Sequence, residues 1–295
     1  MQQQSIFIKV NSEELHLRRF FTLENAPPVF MVHGSIESGK IFYSNSGKGL
    51  APFLAQNGFD VFVADLRGRG LSKPTINKNS EHGLTEILKD DFPAYINEIK
   101  KIKGDVPQYW IAHSWGGVMM LSFLARNFNS VKISSIVFFA TKRRISIFNL
   151  KKLWMINFNW NFLAKIFILF KGYLPAKEMK IGSDNESKKS YYETAKWVNS
   201  ERWIHWNEDF DYSAALKKLC LPPTLYLAGK NDTVLGHPKD VKLLMNETGN
   251  QNHEFLILGK SNGNINDYGH IDILAHPDAA KDVYPIALDW IKRYR

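Results

Sequence analysis

Apolar residues along the chain alternate between short continuous runs and longer stretches with helical spacing. Each short run is apolar on both faces of an extended segment, which is typical of a buried strand in a parallel sheet. Six such runs are found, at residues 29–32, 59–64, 108–113, 133–140, 224–228 and 253–258. The pattern therefore predicts a sheet whose central strands are covered on both sides.

Helical patterns lie between these runs. The segment 47–57, for example, stops at Gly58, a residue type that is common just after a helix. Further helices are predicted at residues 86–103, 117–126 and 279–294, and two short strands at residues 6–10 and 14–21. Strands that alternate with helices predict an α/β fold with a doubly wound, mostly parallel sheet.

The alternation stops between residues 141 and 214, where aromatic and basic residues with helical spacing replace the buried-strand pattern. A chain of 295 residues is long enough for one large domain that carries an insertion. We therefore predict a core domain formed by residues 1–140 and 215–295, with a helical insertion at 141–214.

The net charge of +9 is concentrated in residues 141–180, the first part of this insertion. Residues 141–180 contain nine basic residues and one acidic residue, a net +8. Such a run is usually a solvated face, and contact with anionic lipid is the alternative. Bulky aliphatic residues are interspersed with the basic ones more than stacking aromatics are, which argues against nucleic acid as a partner. Three asparagines and Lys165 interrupt the longest apolar window, which argues against a transmembrane helix.

Two features indicate the cellular compartment. The chain has one cysteine, Cys220, which excludes an internal disulfide and fits a reducing environment. Its first residues lack a basic segment, and the apolar run at 6–10 is too short for the core of a signal peptide. We therefore expect a cytoplasmic protein.

The segment 109–120 predicts a strand, a sharp turn and a helix, with the hydroxyl of Ser114 at the apex. A nucleophile elbow has this layout, because a strained turn lifts a serine Oγ above the edge of the sheet. Ala112 stands where the motif usually has its first glycine, and Gly116 retains the second. With these residues the chain resembles the α/β-hydrolase family, and the resemblance extends from about residue 28 to the C-terminus.

The resemblance implies a catalytic triad. Asp232 follows the predicted strand 224–228, and His270 lies in a G-H-x-D segment after the last predicted strand. The chain order of nucleophile Ser114, acid Asp232 and base His270 is that of the family. The resemblance also implies an oxyanion hole formed by the backbone N–H groups of Ser35 and Trp115.

Other polar residues near these loops are assigned supporting roles. His33 is expected to pack in its loop. Asp65 is expected to organise a loop through an ion pair with Arg67 or Arg69, and Asp272 to hold the histidine loop by a hydrogen bond or an ion pair. The sequence contains no metal-binding cluster, phosphate-cradling loop or dinucleotide fingerprint, so we expect neither a metal nor a cofactor.

Segments 61–65 and 268–272 are most similar to the lipase and lysophospholipase-like branch of the family. This resemblance implies a carboxylic ester hydrolase whose partner is a small-molecule ester with a fatty or otherwise apolar acyl group. A thioesterase, an acyltransferase or a short-polyester hydrolase would share the same triad. A non-catalytic lipid-binding module is the alternative from another class.

The insertion lies where this family carries a cap or lid. We expect residues 141–214 to cover the Ser114 edge of the sheet, with peripheral membrane contact through the basic face as a further possibility. Several aromatic side chains are expected to face inward and line an acyl pocket. The candidates are Trp154, Phe158, Trp160, Phe162, Phe167 and Phe170.

Overall fold

A computed structural model of the protein describes residues 1–295 and contains one eight-stranded sheet, with the order β1-β2-β4-β3-β5-β6-β9-β10. A separate two-stranded sheet pairs β7 with β8. The strands are β1 (Gln2–Val10), β2 (Glu13–Phe21), β3 (Pro28–Val32), β4 (Asp60–Asp65), β5 (Gln108–His113), β6 (Ile133–Phe139), β7 (Tyr173–Leu174), β8 (Glu186–Ser187), β9 (Thr224–Gly229) and β10 (His253–Leu258).

The large sheet is parallel except at one edge. Strands β3, β4, β5, β6, β9 and β10 pair in parallel, whereas β2 runs antiparallel to both β1 and β4. Parallel neighbours require crossover connections, which here are mainly helical and pack on the faces of the sheet. The predicted doubly wound, mostly parallel α/β fold is therefore confirmed.

Helices cover both faces of this sheet. The α-helices are α1 (Leu50–Gln56), α2 (Leu84–Glu86), α3 (Phe92–Lys103), α4 (Trp115–Asn127), α5 (Leu150–Lys152), α6 (Ala164–Lys171), α7 (Lys188–Asn199), α8 (Tyr212–Leu216), α9 (Pro238–Thr248), α10 (Asp272–Ala275), α11 (Ala279–Asp282) and α12 (Tyr284–Arg293). Two π-helical segments, Ile87–Asp91 and Leu153–Leu163, join α2 to α3 and α5 to α6. Short 3₁₀ helices occupy Gly39–Ile41, Phe128–Ser130 and Lys260–Asn262.

The core has two layers because side chains alternate along each buried strand. In β5, Trp110 and Ala112 belong to a cluster of 36 buried residues on one face. Tyr109 and Ile111 belong to a cluster of 29 on the other face. Trp110 is fully buried, so its truncation to alanine would destabilise the fold by about 3–5 kcal/mol. The two layers hold β5, and with it the following turn, in a fixed position.

The insertion contains a continuous helix, Leu150–Lys171, which we call the apolar helix. By length and composition this helix could cross a membrane, and only 17% of its most apolar window is buried within the protein. Its buried residues Ile156, Ala164 and Ile168 form one narrow stripe, at spacings of eight and four residues. This stripe, together with the half-buried Met155 and Trp160, attaches the apolar helix to the rest of the protein.

The expectation that several aromatic side chains of the apolar helix face inward is wrong. Only Trp160 is half-buried, packed against Tyr191. The other five candidates are between 37% and 82% exposed. Trp154 and Phe158 lie two residues from Ile156, and an offset of two residues places side chains on opposite faces of a helix. The inward stripe is aliphatic and small, and most of the aromatic surface faces outward.

Candidate active site

Ser114 lies at the turn between β5 and α4, with a φ of 51° and a ψ of −121°. A non-glycine residue at positive φ is strained, and such strain concentrates at functional sites. The turn brings the start of α4 against β3, because a Cβ atom added to Gly116 would lie 2.4 Å from the carbonyl oxygen of Val32. Ala112 pairs in register with Val32 and Phe138, so the sheet accommodates its methyl group.

A chain of hydrogen bonds joins three of the residues singled out in the sequence. Nε2 of His270 lies 2.9 Å from Oγ of Ser114, and Nδ1 of His270 lies 2.6 Å from Oδ2 of Asp232. An ionised carboxylate only accepts hydrogen bonds, so Nδ1 of His270 carries a proton and donates a hydrogen bond to Asp232. In the neutral ring Nε2 is then free to accept the hydroxyl proton of Ser114.

Electrostatics keep this histidine neutral and this aspartate ionised. Burial lowers the pKa of His270 below its ordinary value; Asp232 acts in the opposite direction, and His113 and Lys142 add to the lowering. For Asp232, burial acts to raise the pKa, but the hydrogen bond and the charge of His270 outweigh it, so the pKa lies below its ordinary value. A neutral imidazole beside a buried carboxylate can remove a proton from Ser114.

The two predicted oxyanion donors lie on either side of Ser114. Trp115 is the first residue of α4, and Ser35 follows Gly34 in the loop after β3. The backbone N–H groups of Ser35 and Trp115 make no hydrogen bond within the protein. The loop lies close to the nucleophile, because a Cβ atom added to Gly34 would lie 3.0 Å from Cβ of Ser114. Both donors are therefore available to a bound group.

The predicted loop histidine, His33, has a structural environment. Its Nδ1 lies 2.8 Å from the carbonyl oxygen of Gly34, and its Nε2 accepts the N–H of Leu66 at 3.0 Å. Burial lowers the pKa of His33, which fits a neutral ring that accepts at Nε2 and donates at Nδ1. His33 thus packs in its loop, as expected.

The expected ion pair of Asp65 with an arginine is not formed. Asp65 is bound by Nδ1 of His16 at 2.7 Å and by the N–H groups of Gly39 and Leu71. Arg67 pairs instead with Asp91 and Glu13, and Arg69 pairs with Glu186. Asp65 is therefore a loop organiser, but the groups that it binds are a histidine and backbone amides.

Asp272 was expected to hold the histidine loop by a hydrogen bond or an ion pair, and it forms neither. It begins the short helix α10, and its side chain makes neither a hydrogen bond nor an ion pair. The loop is held through His270 itself: its carbonyl oxygen lies 3.0 Å from Nε2 of His113. Asp272 therefore contributes only a negative charge near the start of α10.

Two residues without a predicted role, Glu37 and His113, also lie at the site. Nδ1 of His113 lies 2.9 Å from Oε2 of Glu37. A signal was available: His113 ends an otherwise apolar strand directly before Ser114, and a buried imidazole requires partners for both nitrogen atoms. The identity of the partner is not readable, because Glu37 lies 76 residues earlier in the chain.

Glu37, His113 and His270 also form the cluster closest to a metal-binding arrangement, with potential ligand atoms within 4.8 Å of one another. Both nitrogen atoms of each imidazole are already engaged within the protein. A metal would have to displace the bonds of His270 to Ser114 and Asp232. The cluster is better suited to hydrogen bonding than to metal binding.

The insertion contacts the loops on both sides of Ser114. On one side, Ile156 of the apolar helix packs with Val234 in the loop that carries Asp232. On the other side, Ala164 and Ile168 belong to a cluster that contacts Ile36, next to Ser35. Ser114 itself is only 7% exposed.

Comparisons with known proteins identify the family of the fold. The family model for the α/β hydrolase fold matches residues 27–277. Lipase lipl-3 of Caenorhabditis elegans is 30% identical over 108 residues, which are 34% of this chain and 27% of that lipase. The chain thus spans about a quarter of the length of that curated relative.

Two solved structures share the fold over nearly their whole length. An esterase from Thermogutta terrifontis has a TM-score of 0.62 at 18% identity and covers 100% of this chain, with 99% of its own chain matched. A thioesterase domain from the curacin biosynthetic pathway has a TM-score of 0.60 at 16% identity and covers 98% of this chain, with 100% of its own chain matched. At such identities the likeness concerns the fold alone. From the family match and the elbow at Ser114, we conclude that the chain belongs to the α/β-hydrolase fold family.

Proposed function

We propose that the protein is a serine hydrolase that cleaves carboxylic esters with an apolar acyl group. The single observation that carries the proposal is the hydrogen-bond chain from Ser114 through His270 to Asp232, with distances of 2.9 and 2.6 Å. Such distances are those required of a nucleophile, its general base and the group that orients the base. The lipase relative supports the same reaction class.

In the proposed mechanism Ser114 attacks the ester carbonyl while Nε2 of His270 takes its proton. Asp232 accepts the hydrogen bond of Nδ1–H and stabilises the imidazolium that forms. The N–H groups of Ser35 and Trp115 bind the oxyanion, each contributing about 3 kcal/mol to the transition state. His270 then gives its proton to the leaving alcohol. Water attacks the acyl-enzyme while His270 takes a proton from it, and His270 returns that proton to Oγ of Ser114 as the carboxylic acid leaves.

The apolar acyl group is proposed from the surroundings of Ser114. We propose that residues 141–214 form a cap over Ser114, because side chains of this segment pack against the loops that carry Asp232 and Ser35. The ring of Trp115 also lies near that of Trp197 in α7, tilted by 42°, with ring centroids 6.3 Å apart. An acyl chain between the cap and the core would gain about 0.8 kcal/mol for each buried methylene.

The test is a panel of p-nitrophenyl esters from acetyl to decanoyl. Activity should rise with chain length, and Ser114→Ala should abolish both hydrolysis and labelling by a fluorophosphonate probe. Acyl-thioesters and alcohol acceptors, run in parallel, identify a thioesterase or an acyltransferase. Hydrolysis and labelling that persist in Ser114→Ala would disprove the nucleophile, and activity confined to acetyl esters would disprove the apolar pocket.

We also propose that the protein acts in the cytoplasm and contacts anionic membranes through the apolar helix. Large apolar side chains lie on its outer face, where Leu169 and Phe170 are 79% and 82% exposed, and Lys165 is exposed on the same helix. Such a face suits a helix lying in the membrane interface. A spanning orientation would require the buried stripe on the other face to detach.

Sedimentation with vesicles tests this contact. The protein should bind vesicles that contain phosphatidylglycerol more tightly than pure phosphatidylcholine vesicles. The double variant Leu169→Ser, Phe170→Ser should lose binding, whereas Leu23→Ser, which removes an exposed leucine elsewhere, should not. Equal binding by both variants would disprove the assignment of this surface.

A further inference from the structure

His113 is a fully buried histidine next to Ser114 whose two ring nitrogen atoms both face acceptors. Nδ1 lies 2.9 Å from the Glu37 carboxylate, and Nε2 lies 3.0 Å from the carbonyl oxygen of His270. A carboxylate and a carbonyl can only accept hydrogen bonds. Both contacts are satisfied at once only when the ring carries two protons, which makes His113 an imidazolium.

The neighbouring histidine His33 provides an internal comparison. Its Nε2 accepts the N–H of Leu66, so that nitrogen has no proton and the ring is neutral. Burial lowers the pKa of His33. Burial also acts on His113, but the charge and the hydrogen bond of Glu37 outweigh it and raise the pKa of His113. Burial acts to raise the pKa of Glu37, but His113 lowers it to about 2. The two histidines are thus equally buried, but their partners leave His33 neutral and make His113 a cation.

Glu37 and His113 connect the three segments of the site. Oε2 of Glu37 accepts the N–H of Gly34 at 3.0 Å as well as Nδ1 of His113, and so holds the loop of Ser35. His113 is the last residue of β5 and precedes Ser114. Its Nε2 donates to the backbone of His270. The pair therefore spans the oxyanion loop, the elbow and the histidine loop.

We propose that Glu37 and His113 form a buried ion pair that positions His270 and, through the charge of His113, keeps the His270 ring neutral before reaction. The two rings are 4.8 Å apart between centroids, so the cation opposes a second proton on His270. The other charged groups that act on His270 are Asp232, which favours protonation, and Lys142, which opposes it. This inference rests on the proposed function, in which His270 is the base.

The decisive variant is Glu37→Gln, which keeps the shape of the side chain but removes its charge. His113 should become neutral and lose the proton at Nε2 that binds the His270 carbonyl. With His270 less well placed, kcat should fall on the order of 10- to 100-fold while KM changes little. With the cation gone, the pKa of His270 should rise, so the acid limb of the pH profile of kcat/KM should move to higher pH. Glu37→Asp should restore part of the rate and the original acid limb.

Glu86→Gln is the matched control. Glu86 also accepts the N–H of a glycine, Gly83, and also pairs with a cation, Lys189, but it lies outside the site. This control should change neither kcat nor the acid limb. If Glu37→Gln behaves like Glu86→Gln, the inference is wrong.

Imidazole ¹⁵N NMR of the unsubstituted protein measures the charge directly and does not depend on any substrate or variant. Both nitrogen atoms of His113 should be protonated at pH 7, and only one nitrogen of His33. A neutral His113 would overturn the inference. The rate of fluorophosphonate labelling provides a second readout of Ser114 reactivity in Glu37→Gln. Labelling and a charged His113 without ester hydrolysis would count against the proposed ester substrate alone.

Discussion

Replacing Asp232 by asparagine tests the proposed acid most directly, since it keeps the side-chain shape and removes one charge. Asp232 is only 3% exposed, and its Oδ2 lies 2.6 Å from Nδ1 of His270. When His270 becomes an imidazolium in the transition state, its charge and that of Asp232 are about 4 Å apart. At an effective dielectric constant near 20 their attraction is about 4 kcal/mol. Since about 1.4 kcal/mol corresponds to a tenfold change in rate, kcat should fall about a thousandfold.

The assay is hydrolysis of a medium-chain p-nitrophenyl ester at pH 8, with each preparation normalised by its folded fraction from circular dichroism. Asp272→Asn is the matched control, because Asp272 lies in the same histidine loop but makes no side-chain hydrogen bond or ion pair. The kcat of this variant should stay close to that of the unsubstituted protein. Asp65→Asn tests the other buried carboxylate. If Asp232→Asn keeps most of its kcat, or if a well-folded Asp65→Asn shows the larger loss, Asp232 is not the acid.

Two further predictions follow from the charges. Burial lowers the pKa of His270, and only the neutral ring accepts a proton, so kcat/KM should rise with pH to a plateau. The midpoint of this rise should lie below the ordinary histidine pKa of about 6.5. A midpoint above that value would contradict a lowered pKa. Glu186→Ala should lower the free energy of unfolding in urea by about 3–5 kcal/mol, because it leaves the buried Arg69 without a counter-charge. Glu178→Ala, which breaks the exposed pair with Lys171, should leave the free energy of unfolding nearly unchanged, and a loss equal to that of Glu186→Ala would refute the reasoning.

Much of the core was predictable because its determinants are local in the chain. Strands such as β5 and β9 were located within about a residue, since a buried parallel strand requires a continuous apolar run. Gly58 marked the end of α1 because it adopts a positive φ of 87°. The elbow at Ser114 was recognisable since the close approach of β3 and α4 demands a small residue such as Gly116.

The sequence by itself determined the order of the strands along the chain and the loops that carry Ser114, Asp232 and His270. Only the tertiary structure decided which groups neutralise the buried charges. Asp65 binds His16 rather than an arginine two or four residues away, and Glu37 meets His113 across 76 residues of sequence. Residues that are adjacent in sequence on a strand point to opposite faces, so they rarely pair with each other. The folding of parallel strands brings distant loops to one edge of the sheet, where their charged side chains can meet.

The orientation of the apolar helix was likewise decided by tertiary structure. An amphipathic helix shows its buried side in the sequence, because polar residues mark the side that faces water. The apolar helix itself has large apolar residues on nearly all of its sides. Its sequence alone therefore does not distinguish the inward stripe, Ile156, Ala164 and Ile168, from the outward one. The outward stripe contains Trp154 and Phe158. The choice depends on which stripe fits against the loops of the core, and the small and aliphatic stripe packs there.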